Sequence, residues 1–323
     1  MSTPTTPKEK LRISRDGGLT WKEFEEVVAV VAPAPAPTPI PPAPAPAPAP
    51  TPIPPAPAPA PAPTTTPTSG GSVALIMHAN WLSNADFDQI AQGNLDSTDQ
   101  IRYRCTEYPN DYDQARVTHL FNNYRAKIPG LKVGISVGFY NMISANAAKF
   151  KQLGFDFVEY NLENAFDGPN DDSAAKSNLE KVRQAADAVH AQGMMFRVTP
   201  GKPNSTSFIR TGLIDDVARL VDYYHIQAQS IQDTTPAEYA NFTEGVVKPL
   251  KAAKPGIMVT SQISPSQGAS TGKTVQQTMR DAIAASMAKP APGNTVGAGM
   301  WIGGTDVAEA KSFFAWFKGK YTS

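Results

Sequence analysis

The sequence predicts an α/β fold, a (β/α)8 barrel over residues 72–323, preceded by a Pro/Ala-rich linker and a small hairpin-like head. Three observations predict it. Strand-like apolar runs recur eight times after residue 72, each followed by a stretch of helical character. The span of about 250 residues is that of one such barrel. No glycine-rich nucleotide turn follows the first run, which disfavours a doubly wound open sheet.

The eight runs are Val73–His78, Ile101–Thr106, Leu131–Val137, Phe155–Leu162, Met194–Thr199, Val221–Ala228, Ile257–Gln262 and Gly297–Ile302. Arg102 and Arg104 interrupt the second. Helical stretches such as Ser173–Gln192 and Thr274–Ala288 separate the runs. In the fourth run Val158, Tyr160 and Leu162 alternate with Glu159, Asn161 and Glu163, so a strand sends three polar side chains to one face. Burying such a row costs free energy unless the groups are used. The row therefore nominates a catalytic carboxylate.

Two segments precede the barrel. In residues 1–31, Leu11–Ser14, Arg15–Gly18 and Leu19–Trp21 read as strand, turn and strand, with Asp16-Gly17 as the hairpin signal. A head of this size builds little core alone, so it is expected to dock on a partner, a particle or surface scaffold, or to assemble with copies of itself. In residues 32–71, Thr-Pro-Ile-Pro-Pro followed by Ala-Pro pairs occurs at 38–50 and again at 51–63. Proline fixes φ and holds its predecessor extended. The expectation is a semi-rigid polyproline spacer of about 3 Å per residue, on the order of 100 Å long.

Composition narrows the function. Lysine plus arginine and aspartate plus glutamate each number 29, which gives no reason to expect nucleic acid or an anionic membrane as partner. The four histidines lack metal-ligand spacing, and no cofactor is expected. The single cysteine, Cys105, has no internal disulfide partner. No apolar run is long enough to span a membrane, and Met1–Lys10 lacks the apolar core of a secretory signal. Work outside a cell would then imply carriage on a larger particle such as a virion, or attachment at a cell surface; the cytoplasm is the alternative.

Barrel enzymes place reacting groups at the C-terminal ends of strands. Here those ends carry Trp81, Glu107, the run Ser136–Tyr140, Asn161 with Glu163, Arg197 with Thr199, Gln227 with Gln229, Gln262, and Trp301. Aromatic faces stack on pyranose rings and amides bond hydroxyls, so this is a sugar-type lining.

These residues resemble the family-18 glycoside hydrolases, the chitinase and endo-β-N-acetylglucosaminidase group. Asp156, Glu159, Asn161 and Glu163 fall on the four positions of that family's Asp-x-x-Asp-x-Asp-x-Glu signature. Ser136-Val137-Gly138-Phe139 matches its Ser-x-Gly-Gly in part, and Gly299-Met300-Trp301 is similar to its eighth strand end. The resemblance implies that Glu163 is the general acid and that the substrate's N-acetyl oxygen is the nucleophile. It implies that Asn161, standing where the family has aspartate, orients the acetamido group, as in the Asn-x-Glu of family-85 endo-β-N-acetylglucosaminidases. Gln229 stands where the family has a supporting tyrosine. Trp301 is expected as the floor, Tyr140 and Trp81 as flanks, and Glu159, Gln227, Arg197 and Gln262 as further substrate-binding groups. The partner implied is a β-linked N-acetylhexosamine polysaccharide. Two readings stay open: a substrate-assisted glycosidase, or a catalytically degenerate glycan-binding or structural module of a virion or cell surface.

Three features are set aside. Gly268–Thr274 resembles a phosphate loop but is one residue short. The sequons at Asn204 and Asn241 matter only after passage through a glycosylating compartment. Asp167, Asp171 and Asp172 read as solvated loop acids rather than a calcium site.

Overall fold

A computed structural model describes residues 82–163, 167–302 and 306–321 in full, and the backbone of 11–13, 22–24 and 74–78. The chain falls into two units, Met1–Ala62 and Pro63–Ser323. In the first, β1 (Leu11–Ile13) pairs antiparallel with β2 (Lys22–Phe24), Leu11 opposite Phe24 and Ile13 opposite Lys22. The expected second strand, Leu19–Trp21, lies outside the described residues. The expected Asp16-Gly17 turn and the linker lie outside the described residues.

In the second unit eight parallel strands close into a barrel: β3 (Ala74–His78), β4 (Gln100–Arg104), β5 (Lys132–Val137), β6 (Phe157–Tyr160), β7 (Met195–Val198), β8 (Tyr223–Ile226), β9 (Met258–Ile263) and β10 (Gly297–Met300). Each pairs with the next, and β10 returns to β3. Every expected run overlaps one of these strands; β4 begins one residue before its run and β9 ends one residue after its run. Alternation then sorts the side chains. Ile101, Tyr103, Ile135, Val137, Val158, Tyr160, Phe196, Val198, Tyr224 and Ile226 join the apolar layer shared with the helices. That layer buries whole aromatic rings and carries most of the hydrophobic stabilisation.

The other face fills the barrel, and it is unusually polar for a layer that branched apolar residues normally occupy. Arg102, Ser136, Glu159, Arg197, His225, Thr260 and Gln262 are all buried there. Arg102 and Arg104 thus do not interrupt β4; they are its inward face. Two glycines make room. A Cβ on Gly134 would lie 2.1 Å from the Phe157 ring, and one on Gly299 would lie 2.3 Å from the His225 ring.

Helix ends follow local chemistry. Thr235 with Glu238 and Thr274 with Gln277 form capping boxes. Thr274 closes the phosphate-loop-like stretch, which is therefore a helix start, with Lys273 held 2.6 Å from Asp281. The loop acids are also engaged. Asp167 accepts from the Tyr160 hydroxyl at 2.6 Å, Asp171 from the backbone N–H of Ser173 and Ala174, and Asp172 from Arg210. Asn204 is buried and bonded to Asn178 and the Leu162 carbonyl, which removes that sequon from the surface.

Candidate active site

Of the expected row only Glu159 lies on β6; the strand ends at Tyr160, Asn161 and Glu163 follow it, and the three sit at three depths. Glu159 is the deepest and has no exposed surface. Its Oε1 accepts from Arg102 Nε and, at 2.9 Å, from the Ser136 hydroxyl; its Oε2 faces Arg197 Nη1 at 3.3 Å. Register explains the cluster, because Ser136 and Arg197 are the direct neighbours of Glu159 across β5 and β7. Burial alone would raise the Glu159 pKa, but the two guanidinium groups outweigh it and hold the carboxyl below its usual range.

One level higher, Asn161 is nearly buried and its Oδ1 accepts from Gln227 Nε2 at 2.9 Å. The same Gln227 amide also reaches the Thr199 carbonyl at 3.2 Å. Glu163 sits at the top. It borders a cavity of about 210 Å3, together with Arg104, Asn161, Gln229, Gln262 and Trp301. Arg102, Gln227 and Gln267 complete the described lining. A second cavity, about 440 Å3, shares Glu163, Gln227 and Gln229 and adds Lys202 and the start of the helix Lys202–Arg210. Glu163 therefore borders both cavities.

Most expected site residues converge on this cavity: Asn161, Glu163, Gln227, Gln229, Gln262 and Trp301. Two lie beneath it. Arg197 is fully buried, its guanidinium 4.4 Å from the Phe157 ring centroid and 5.4 Å from that of Tyr223. Arg197 and Glu159 line neither cavity and hold the floor rather than meeting a ligand. Tyr140 also lines neither: it opens the helix Tyr140–Leu153, with its backbone N–H on Asp167 at 3.2 Å. Trp81 lies outside the described residues.

The sequence reading missed Arg104, Gln267 and His225. The spacing of Arg102 and Arg104 carried the signal for Arg104, since two positions apart on a strand is one face. His225 is fully buried, with Nδ1 2.8 Å from Thr260 Oγ1 and Nε2 3.1 Å from Gln262 Oε1. It thereby fixes the orientation of a cavity amide. Burial outweighs the pull of Glu159 and drives the His225 pKa down to about 3. A free imidazole titrates near 6.5, so below that pH the unfolded chain takes up a proton that the folded chain refuses. Stability contributed by His225 is therefore complete above about pH 6.5 and is lost as pH falls toward 3, at about 1.4 kcal/mol per unit. Urea unfolding at pH 7.5 and pH 5 should show this loss, and His225→Gln should flatten it.

No protein-family model matches the chain, and no curated protein sequence does. Solved structures do match in fold. The family 18 chitinase of Crocus vernus superposes with a TM-score of 0.54 at 10% identity, over 77% of this chain and 100% of its own. The catalytic domain of a family GH18 chitinase from the fern Peteris ryukyuensis gives 0.53 at 12% identity, over 77% and 98%. A glycoside hydrolase family 18 N-acetylglucosaminidase from Paenibacillus barengoltzii gives 0.52 at 10% identity, over 77% and 99%. The likeness is one of fold: this chain carries a barrel of the kind found in family 18 glycoside hydrolases.

Proposed function

We propose that the barrel acts on a β-linked N-acetylhexosamine glycan, with Glu163 as its acid. One observation carries this reading. Among the described residues Glu163 is the carboxylate that reaches the cavities, while Glu159 is sealed below by two arginines. A two-carboxylate scheme then lacks its second member, and the substrate-assisted route needs none. The acetamido oxygen attacks the anomeric carbon as the glycosidic bond breaks, and Glu163 gives its proton to the leaving oxygen. Water then attacks the anomeric carbon and passes its proton back to Glu163. Asn161 and Gln229 hold the acetamido group by hydrogen bonds, and Trp301 stacks on the ring. Residues 1–31 anchor the domain to a particle or surface, and residues 32–71 hold it at a distance.

A second reading, a glycan-binding module without turnover, is favoured by a specific observation. Asn161 brings no charge to stabilise a cationic intermediate, and its carbonyl oxygen already receives the Gln227 N–H. Incubating the full chain with chitin oligomers, peptidoglycan fragments and N-glycans separates the two. New reducing ends establish the enzyme. Binding without products establishes the module. Failure to bind any of the three overturns both.

A further inference from the structure

We infer that Asn161 holds the sugar's acetamido group by its carbonyl oxygen rather than by its N–H, because the Asn161 amide is locked with its donor side toward the cavity. This rests on the glycan reading above and fixes the polarity of its contact with the ligand.

The lock begins at a backbone carbonyl. Gln227 Nε2 lies 3.2 Å from the Thr199 carbonyl oxygen and 2.9 Å from Asn161 Oδ1. A carbonyl accepts and never donates, so the nitrogen end of the Gln227 amide faces Thr199. Its second N–H then points at Asn161, and an oxygen is needed there to receive it. Turning the Asn161 amide over would set N–H against N–H, and leaving buried donors unpaired costs more than a hydrogen bond is worth. Thr199 therefore dictates the orientation of Asn161, with Gln227 as the positioning residue between them.

What remains for a ligand follows from this. Asn161 is 5% exposed and lines the cavity, and its Nδ2 bonds to no other described residue. Its N–H groups thus open on the cavity. Gln262 adds donors to the same wall. It is 2% exposed, its Oε1 lies 3.1 Å from His225 Nε2, and its Nε2 bonds to no other described residue. An acetamido group offers one N–H and one strong acceptor, its carbonyl oxygen. Against this wall the oxygen gains a hydrogen bond, whereas the N–H would meet other donors and leave them unpaired.

The test compares matched ligands on the full chain by calorimetric Kd. The parents are chitotetraose and a tetrasaccharide of alternating β-1,4 N-acetylglucosamine and N-acetylmuramic acid. Each is made in two further forms. Thioacetamido groups keep the N–H but weaken the acceptor; acetoxy groups keep a carbonyl but have no N–H. The wild type should lose about fivefold or more on the thioacetamido form, the worth of one hydrogen bond, and less than about threefold on the acetoxy form. Asn161→Asp still accepts from Gln227 but turns an acceptor to the cavity, so the order of the two analogues should reverse. Gln227→Leu releases the Asn161 amide and should bring the analogues within about twofold of each other. A wild type that tolerates the thioacetamido form as well as the acetoxy form, or better, overturns the inference and leaves the glycan reading standing; this comparison needs no variant to fold. An order unchanged in Asn161→Asp overturns the role of Asn161, and an order unchanged in Gln227→Leu overturns the lock. Failure of both parent sugars to bind overturns the glycan reading itself.

Discussion

Glu163→Gln should abolish glycan cleavage while leaving glycan binding in place. Glutamine has nearly the shape of glutamate and keeps a carbonyl acceptor, but it has no proton to give a leaving oxygen. Positioned acid catalysis is worth about 100- to 10,000-fold, and the described lining offers no second carboxylate to take over. Single-turnover hydrolysis of the best glycan substrate should therefore slow by about that factor, with Kd moved by less than about threefold. The loss should be a loss of kcat, since the acid acts on the transition state more than on the bound substrate. Cleavage at the wild-type rate by the variant would remove Glu163 from the acid role.

The strands were legible because a barrel strand buries both faces. Each reads as a short run bounded by polar segments, so the eight runs located the eight strands to within a few residues. What period-two alternation supplies is a face; it does not supply depth. Glu159, Asn161 and Glu163 alternate in the sequence, yet only Glu159 lies on β6, sealed below, while the other two follow the strand and line the cavity. Depth depends on the stagger between neighbouring strands, which is a property of the closed barrel and not of any one segment. The same gap moved Arg197 from the cleft to the floor.

Arg102 and Arg104 show a second limit. Charge inside an apolar run looks like a break when the strand is read alone, because an unpaired buried charge is so costly. Arg102 is compensated by Ser136 and Glu159, far away in sequence, and Arg104 Nε donates to Thr106 Oγ1 at 2.9 Å. Gly134 and Gly299 are equally silent until their neighbours are known, when each proves to be the space into which an aromatic ring or an imidazole fits. Tyr140 was placed at the cleft from its position after β5, but it starts a helix whose first turn is tied to Asp167.

Glu159→Gln should destabilise the barrel by about 3–5 kcal/mol, the usual cost of removing one partner from a buried ion pair. The glutamine retains a carbonyl for one donor, but Arg102 and Arg197 lose the carboxylate they both pair with. Against a typical total stability of about 5–15 kcal/mol this is a severe loss, read as a fall in the urea midpoint with m unchanged. Acid gives a second measurement. The folded-state pKa of Glu159 is lowered, so its contribution is complete above the unfolded carboxyl pKa of about 4.3 and is lost as pH falls through the folded value. The wild type should therefore lose stability in that range, and Glu159→Gln should lose less. The triple variant Arg102→Met, Glu159→Leu, Arg197→Met decides what the cluster is for. Replacing all three charges by apolar groups removes the desolvation cost together with the attraction, so stability should recover to near the wild-type level. The ligand cavity should nevertheless lose its order, because Arg102 also lines it. A triple variant that is stable and still binds glycan normally would show that the buried charges serve packing alone.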